Sequence, residues 1–561
     1  MSEEPRIGVF VCHCGINIGG YVDVPDVVEY ATGLPDVVYA EPNLYMCSSD
    51  GLQKIQEAIK KYELNRIVVA SCTPRTHEPL FQSACEEAGL NKYVFEMANI
   101  RDQCSWVHMH EPEKATQKAK SLVRMAVAKA RLLVPEEEPE IDIRPTGLVI
   151  GGGVSGLTSA LSLADQGFKV HLVEKEDRLG GTLLKLDTLF SSNVKASEVI
   201  NPLIKRVKAS TDVTVHLDSR VADVKGFIGS FDVGIETRGE PETLSVGTII
   251  VATGADYLSP EGLYGYGQVD NVVTQMELEQ LFKEGGRLDG VKTLVMIQCA
   301  GSRNEERPYC SRVCCTEAIK NAIKLVKENP KRDVYILYRD LQTYGIEFSM
   351  MEYDAKKSGV KLVMYDKERL PEVTGEERGP MVRVYSPLLD EELTIETDMV
   401  VLSAPIIPNE DNEALSKHLK VPLNSDRFFM EAHVKLRPLD FATDGIYVCG
   451  TAHSPKEVAE SVSQARGAAS RAGIPMAKGR LKTAAITSVV DEAKCSGCGT
   501  CIELCVYNAI TKNERGLAQV TSAVCKGCGV CGASCPERAI TMRHFTNEEL
   551  EAQGLAALKE A

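Results

Sequence analysis

Eight cysteines near the end of the chain form two runs that share one spacing, C-x2-C-x2-C-x3-C, within the repeated sequences CSGCGTCIELCVYNAIT and CKGCGVCGASCPERAIT. In this pattern three thiolates of a run hold one [4Fe–4S] cluster, and the fourth cysteine binds the other cluster. The first predicted ligand set is Cys495, Cys498, Cys501 and Cys535; the second is Cys525, Cys528, Cys531 and Cys505. Zinc is the alternative metal. Two neighbouring clusters would carry single electrons.

Four glycine-containing segments in a fixed order predict an FAD site. Strand 147–150 leads into GGGVSG and a helix, a turn that lets backbone N–H groups approach a pyrophosphate. The next strand ends about 20 residues later at Glu174, placed for a ribose 2′-OH. RLGG, IIVATGA and DGIYVCGTA complete the pattern. The predicted FAD-binding residues are Gly151, Gly153, Ser155, Gly156, Glu174, Lys175, Gly180, Gly181, Thr182, Ala252, Thr253, Gly254, Gly450, Thr451 and Ala452.

The last of these segments departs from the usual pattern, because Gly450-Thr451 stands where Gly-Asp is common. The ribityl contact of that Asp is therefore not predicted. A helix is predicted over 458–470, and an N-terminus facing the flavin would stabilise an anionic reduced flavin through the helix dipole. Lys185 is interpreted as a solvated lysine. No catalytic group beyond the FAD itself is predicted.

A second group of cysteines follows the apolar strand VKTLVMI, in the segment 288–400 where two-dinucleotide reductases carry a nicotinamide domain. No Gly-rich phosphate turn follows this strand. The sequence instead contains C-x10-C-x3-C-C, with three arginines nearby. Four thiolates are the usual complement of a [4Fe–4S] cluster. The predicted ligands are Cys299, Cys310, Cys314 and Cys315; a vicinal Cys314–Cys315 disulfide or buried structural thiols are the alternatives.

Five N-terminal cysteines lie at or after predicted strands: Cys12, Cys14, Cys47, Cys72 and Cys104. Ligands in open α/β sheets gather at the carboxyl ends of strands, which suggests another [4Fe–4S] cluster, with ordinary buried cysteines as the alternative. Four ligands suffice, so one of the five is spare, and Cys12 and Cys14 compete. Cys85 is predicted to be a packed thiol.

The elements that must position these residues are those of an α/β protein. Residues 1–140 alternate short strands and amphipathic helices, 141–487 form the FAD domain, 488–545 the two-cluster domain and 546–561 a helical tail. The net charge of −16 argues against a nucleic-acid surface. Nineteen cysteines without a signal peptide predict metal ligands in a reducing, cytoplasmic and anaerobic setting rather than disulfides. The uncharged stretch 147–164 fits a dinucleotide turn better than a membrane span.

Three stretches carry a family resemblance: QCAGSRNEERPYCSRVCC, YRDLQTYG and FATDGIYVCGTAHSPK. With the N-terminal domain and the ferredoxin-like tail, they resemble the A subunit of heterodisulfide reductase over essentially the whole chain. The resemblance implies a thioredoxin-reductase-like FAD domain, a cluster at the Cys299–Cys315 stretch close to the flavin, and an N-terminal cluster. Many family members carry an additional ferredoxin insertion in the flavin domain, and no matching cysteine runs occur here.

The predicted function is that of an iron–sulfur flavoprotein oxidoreductase, with one FAD and about four [4Fe–4S] clusters. The resemblance adds flavin-based electron bifurcation between a two-electron donor, ferredoxin and a disulfide-reducing partner. Expected partners are other subunits of such a complex, ferredoxin, a donor subunit (hydrogenase, formate dehydrogenase or an NADH-oxidising module) and a second copy of the chain. The alternatives are an NAD(P)H:ferredoxin oxidoreductase and a flavin subunit of a quinone-linked sulfur-metabolism complex.

Overall fold

The protein is described from a computed structural model, which covers residues 4–190, 193–285, 288, 290–343, 345–376 and 379–559. Two compact units account for the chain. The terminal unit combines Met1–Glu140 with Lys482–Ala561, and the central unit is Ile141–Leu481. Both contain sheets and helices, so the α/β class predicted from the sequence is confirmed. In the part of the chain that is described, no helix is long and apolar enough to cross a membrane.

The terminal unit begins with a parallel four-stranded sheet in the order β2-β1-β3-β4. Every residue of β1 and β3 is buried, as expected of inner parallel strands covered by helices on both faces. The strands are β1 (Ile7–Cys12), β2 (Val37–Asn43), β3 (Arg66–Ser71) and β4 (Phe95–Asn99). The helices are α1 (Ile16–Gly19), α2 (Val24–Thr32), α3 (Ser49–Lys61), α4 (Pro74–Glu87) and α5 (Pro112–Ala130).

The segment from residue 140 to residue 482 contains twenty strands and seven helices among its described residues. The strands are β5 (Glu140–Asp142), β6 (Thr146–Ile150), β7 (Lys169–Val173), β8 (Val213–His216), β9 (Ser219–Phe227), β10 (Ser230–Thr237), β11 (Glu240–Val246), β12 (Thr248–Val251), β13 (Ala255–Tyr257), β14 (Val272–Thr274), β15 (Thr293–Ile297), β16 (Asp333–Tyr338), β17 (Lys361–Met364), β18 (Glu372–Glu376), β19 (Gly379–Ser386), β20 (Glu391–Glu396), β21 (Met399–Leu402), β22 (Ile406–Pro408), β23 (Ile446–Val448) and β24 (Arg480–Lys482). The helices are α6 (Val154–Ala164), α7 (Ala196–Ala209), α8 (Gln275–Glu284), α9 (Cys314–Glu328), α10 (Ile346–Lys357), α11 (Asn412–Leu419) and α12 (Val458–Lys478).

Two five-stranded parallel sheets organise the central unit. The first has the order β23-β12-β6-β7-β8, and the second has the order β14-β21-β15-β16-β17. Each is accompanied by a three-stranded antiparallel sheet, β11-β10-β9 and β18-β19-β20 respectively. The second parallel sheet occupies the sequence position where a nicotinamide domain is expected, and its strand β15 runs into the second group of cysteines.

Helix α12 is longer than the predicted 458–470. It continues through Gly473 and Pro475 and ends at Gly479, which has a positive φ of 68° and donates its N–H to the Pro475 carbonyl. Buried Ala472 and Met476 pack into the core of the first parallel sheet. This packing outweighs the low intrinsic helix propensity of glycine and proline.

The C-terminal part of the terminal unit consists of short antiparallel pairs, β25 with β28 and β26 with β27. Its elements are β25 (Ser488–Val490), α13 (Thr500–Glu503), β26 (Ile510–Lys512), β27 (Ala518–Val520), α14 (Val530–Ala533), β28 (Ile540–Met542) and α15 (Asn547–Ala557). The tail that the sequence predicts to be helical contains α15, and Thr546 caps this helix in a capping box with Glu549. Residues 560 and 561 of the predicted tail lie outside the described residues.

Candidate functional site: a flavin cavity beside a four-cysteine cavity

A large cavity of about 760 Å³ opens where β6, β7 and β12 end in the central unit. We call it the flavin cavity. It collects residues from all four glycine-containing segments, which lie far apart in the sequence. Eleven of the predicted FAD-binding residues line it: Gly151, Gly153, Ser155, Glu174, Lys175, Gly181, Thr182, Ala252, Thr253, Gly254 and Thr451.

The predicted residues that do not line the flavin cavity are Gly156, Gly180, Gly450 and Ala452. Two of these glycines lie in close contact with residues of the Gly151–Gly156 turn. A Cβ on Gly156 would lie 1.7 Å from the Gly151 carbonyl oxygen, and a Cβ on Gly450 would lie 2.3 Å from Ser155 Oγ. No side chain fits at either position, so these glycines allow close backbone approach.

The polar groups of the flavin cavity fit a dinucleotide. The Glu174 carboxylate accepts hydrogen bonds from the N–H groups of Gly152 (2.5 Å) and Glu176 (2.9 Å), which fixes it at the end of β7. The hydroxyl of Thr253 is buried and has no protein partner. A buried hydroxyl without a partner is costly, so its position in the wall of this cavity indicates a ligand.

The wall formed by the start of α12 contains residues that the sequence reasoning missed. Lys456, Glu457, Val458 and Ser461 all line the flavin cavity. The SPK tripeptide after the last glycine-containing segment was the available signal, because it places a lysine directly before a helix N-terminus. The exposed Lys185 also lines the cavity.

A much smaller cavity lies beyond β15 in the same unit. It is lined by all four cysteines predicted there, Cys299, Cys310, Cys314 and Cys315, and we call it the four-cysteine cavity. None of the protein's cysteines is in a disulfide, so the vicinal bridge considered from the sequence is absent. Burial raises the pKa of Cys315 to about 12. Buried thiols become thiolates only with a compensating cation, which a metal cluster supplies.

The loop around the four-cysteine cavity has an unusual backbone. Cys299, Arg303 and Arg312 have φ values of 59°, 56° and 65°, in the left-handed region that non-glycine residues rarely adopt. Such strain persists only where the surroundings enforce it, and it is concentrated at functional sites. The Gln298 side chain also lines this cavity, and both its Nε2 and its Oε1 are buried without a partner. This donor set of four thiols and one unused amide N–H fits a [4Fe–4S] cluster.

The N-terminus of α9 separates the two cavities. Val313 lines the flavin cavity, whereas its neighbour Cys314 lines the four-cysteine cavity. Glu317, one turn further along α9, again faces the flavin cavity, and burial raises its pKa to about 7. Consecutive residues at the start of α9 therefore line the two cavities.

The N-terminal cysteines lie at the end of the four-stranded sheet. Cys14 and Cys47 contribute to raising the pKa of Cys12, after the larger effect of burial, and also that of Cys72. These four thiols are therefore electrostatic neighbours. Cys12 Sγ accepts hydrogen bonds from the N–H groups of Cys14 (3.3 Å) and Met46 (3.4 Å). β2 ends at Asn43, so Cys47 lies in the loop that follows this strand.

Cys104 has different surroundings from those four cysteines. It is fully buried, and its thiol donates to the Ala115 carbonyl at 3.0 Å. Burial raises the pKa of Cys104 to about 11, and the charge of Lys118 acts in the opposite direction. Cys104 belongs to the core between the sheet and α5. Cys85 is also fully buried, in the core under α4, as predicted for a packed thiol.

The two C-terminal cysteine runs adopt matching geometries. Cys505 Sγ accepts from the Ala509 N–H at 3.2 Å, and Cys535 Sγ accepts from the Ala539 N–H at 3.3 Å. A small cavity is lined by the four cysteines that the sequence assigns to the first cluster: Cys495, Cys498, Cys501 and Cys535. Within the described residues, no group of three or more His, Cys, Asp or Glu side chains is arranged around a single metal ion.

Comparison with known proteins identifies relatives along the full chain. Residues 146–297 match the family model of the pyridine nucleotide-disulphide oxidoreductases. The chain is 41% identical to the A subunit of the H2:CoB-CoM heterodisulfide,ferredoxin reductase of Methanothermobacter thermautotrophicus, over 100% of this chain and 98% of the relative. It is 39% identical to the second of two iron-sulfur A subunits of the CoB–CoM heterodisulfide reductase of Methanopyrus kandleri, over 92% of both chains.

The alignment to the Methanothermobacter relative runs over 652 positions, although this chain has 561 residues. The relative therefore contains segments that this chain lacks. Among solved structures, the thioredoxin reductase of T. acidophilum is similar to 59% of this chain and 99% of its own, with 18% identity and a TM-score of 0.41.

Proposed function

Because this chain belongs to the family of heterodisulfide reductase A subunits, we propose that it is the FAD- and [4Fe–4S]-containing electron-transfer subunit of such a complex. The chain is an oxidoreductase with an FAD domain. The observation that supports the electron-transfer role best is that the neighbouring residues Val313 and Cys314 line the flavin cavity and the four-cysteine cavity respectively. When bound, FAD exchanges electron pairs and iron–sulfur clusters exchange single electrons.

Different residues of the central unit would hold the FAD and the iron–sulfur cluster. The Gly151–Gly156 turn and the N-terminus of α6 present backbone N–H groups to the diphosphate, and Glu174 is placed for the ribose. Cys299, Cys310, Cys314 and Cys315 would ligate a cluster in the position where reductases of the two-dinucleotide type bind a nicotinamide. Electrons would then leave the flavin through this cluster.

In the terminal unit we propose Cys12, Cys14, Cys47 and Cys72 as the ligands of the N-terminal cluster, with Cys104 as the spare cysteine. The interactions among the first four thiols support this choice, as does the bond of Cys104 to the Ala115 carbonyl. The two C-terminal runs would hold the remaining two clusters, as their spacing and the cavity lined by four of their cysteines support.

The names of the relatives link heterodisulfide reduction to ferredoxin and to H2, formate or F420H2. For this chain we propose the same division, in which electron pairs are split between ferredoxin and a disulfide-reducing partner protein. This chain lacks segments that the Methanothermobacter relative contains. Its electron-donor protein can therefore differ from that of the relative.

The test is to purify the protein without oxygen and to determine iron, acid-labile sulfide and FAD per chain. We expect about sixteen iron and one FAD. In Cys310→Ser, iron should fall by about four while FAD is retained. The control is Cys449→Ser, because this thiol is fully buried beside Ser159 and lines neither described cavity. About eight iron in the wild type, or an unchanged count in Cys310→Ser, would contradict the four-cysteine site.

A further inference from the structure

Cations that line the flavin cavity differ in how their charge is balanced. Lys175 pairs with Asp411 at 3.0 Å, and the buried Lys320 pairs with Glu279. Arg178, Lys185 and Lys283 are exposed to solvent. Lys456 is the exception: only 6% of it is exposed, and no carboxylate of a described residue forms an ion pair with it.

The position of Lys456 is fixed by three hydrogen bonds to neutral oxygens. Its Nζ donates to the carbonyls of Gly450 (2.7 Å) and Ser454 (2.6 Å) and to Ser454 Oγ (3.1 Å). These acceptors orient the ammonium group but do not neutralise it. A buried cation without a counter-charge is unfavourable, so an anionic group is needed on the open side of the site, which is the flavin cavity.

The pKa of Lys456 supports the same conclusion. Burial lowers it to about 8, while Glu460, Cys449 and Glu431 act to raise it and Arg312 lowers it further. The neighbouring carboxylates are therefore too weakly coupled to restore the ordinary lysine pKa. Glu457, at the N-terminus of α12, accepts the Glu460 N–H and takes part in capping the helix.

A bound FAD could supply negative charge from two sources, the diphosphate and the reduced ring. The diphosphate has its own donors at the glycine turn and the N-terminus of α6. Lys456 instead follows the DGIYVCGTA segment, and Glu457, Val458 and Ser461 at the start of α12 form the cavity wall beside it. The sequence pattern places this segment near the ribityl chain and the ring.

We propose that Lys456 is a positioning charge that favours the reduced flavin over the oxidised flavin. Reduction by two electrons with uptake of one proton adds one negative charge to the neutral ring, and the Lys456 ammonium offsets that charge. This inference rests on the FAD site proposed above. At a pH above the Lys456 pKa the side chain is a neutral amine, and this amine would take up a second proton as the ring is reduced.

The experiment measures the flavin midpoint potential of the anoxic holoprotein by dye-coupled titration. In Lys456→Met the equilibrium should shift at least tenfold towards the oxidised flavin, about 30 mV for a two-electron couple. Lys456→Arg keeps the charge and should remain within twofold of the wild type. Lys478→Met is the matched control, because it removes an exposed lysine from the last turn of the same helix.

Two further readouts separate the possible outcomes. FAD dissociation is measured for each variant: a loss of FAD affinity with an unchanged potential would assign the charge to the diphosphate and overturn the proposal.

The potential of the wild-type protein is also followed from pH 6 to pH 10. This measurement does not require that any variant folds. Proton uptake per electron pair should rise from one to two above about pH 8, since pKa shifts mark differential proton binding.

A wild-type protein that takes up one proton throughout this range, together with an unchanged potential in Lys456→Met, would overturn the proposal. In Lys456→Arg the rise should be absent, because the guanidinium keeps its proton. The iron and FAD contents of the same samples test the proposed function separately. Normal contents with an unchanged potential in Lys456→Met would refute the role of Lys456 alone.

Discussion

Replacing Lys320 with methionine should destabilise the central unit by about 3–5 kcal/mol, the range measured when one partner of a buried ion pair is removed. The Glu279 side chain is 0% exposed and that of Lys320 is 6% exposed. The Glu279 carboxylate also accepts the backbone N–H groups of Asp187 (2.8 Å) and Thr188 (3.4 Å). Without Lys320 this carboxylate stays buried with no counter-charge.

The assay is urea unfolding of the holoprotein, followed by the rise in FAD fluorescence on release, with the FAD dissociation constant measured alongside. The double variant Glu279→Gln/Lys320→Met should recover most of the loss, since replacing both charges of a buried pair is often close to neutral. The exposed pair Lys417–Glu413, in the same unit, is the control. Lys417→Met should leave the unfolding free energy close to that of the wild type, because both side chains of this pair are exposed.

A Lys320→Met variant whose unfolding free energy lies within about 1 kcal/mol of the wild type would refute this reasoning. The pair would then behave as a solvated ion pair, and the side chains around it would have to be open to water. A double variant no more stable than Lys320→Met would also refute it, because the cost would then come from lost packing rather than from an unpaired charge.

Two further predictions concern the ligands. Cys14→Ser should lower the iron content by about four per chain, whereas Cys104→Ser should leave it unchanged; equal losses in both variants would argue against the four proposed N-terminal ligands. Gly156→Ala should abolish FAD binding at micromolar concentrations, because the added Cβ would lie 1.7 Å from the Gly151 carbonyl oxygen. Absorbance of the purified protein at flavin wavelengths tests this, and a normally loaded variant would mean that the turn can relax.

The sequence predicted those parts of the sites that depend on local spacing. The turn at Gly151–Gly156 and the cysteine runs could be read directly, because each needs a fixed backbone path between neighbours in the chain. The same holds for Thr546, whose hydrogen bond to the Glu549 N–H spans a single turn. Such features are set by a few consecutive residues and are largely independent of the rest of the fold.

Features that depend on distant contacts could not be predicted. Cys104 has a suitable position after β4, yet its thiol is turned into the core by the Ala115 carbonyl on α5. Lys456 is a common surface residue type, and its burial results from packing between the last glycine-containing segment and the α12 wall. No local sequence pattern indicates burial of this kind, because the burial results from contacts between elements that are far apart in the sequence.

The two ends of the chain fold into one unit, although the sequence analysis treated residues 1–140 and 488–545 as separate domains. Arg124 on α5 donates to the Ala556 carbonyl in α15 at 2.8 Å, and Lys129 lies 3.9 Å from the centre of the Phe545 ring. The Ala485 N–H donates to Tyr93 Oη at 3.0 Å. These contacts bury polar groups of the N-terminal half against the segments that flank the two C-terminal cysteine runs. The N-terminal cysteines and the two C-terminal cysteine runs therefore belong to one folded unit. The flavin cavity and the four-cysteine cavity belong to the other, so each unit contains candidate redox sites.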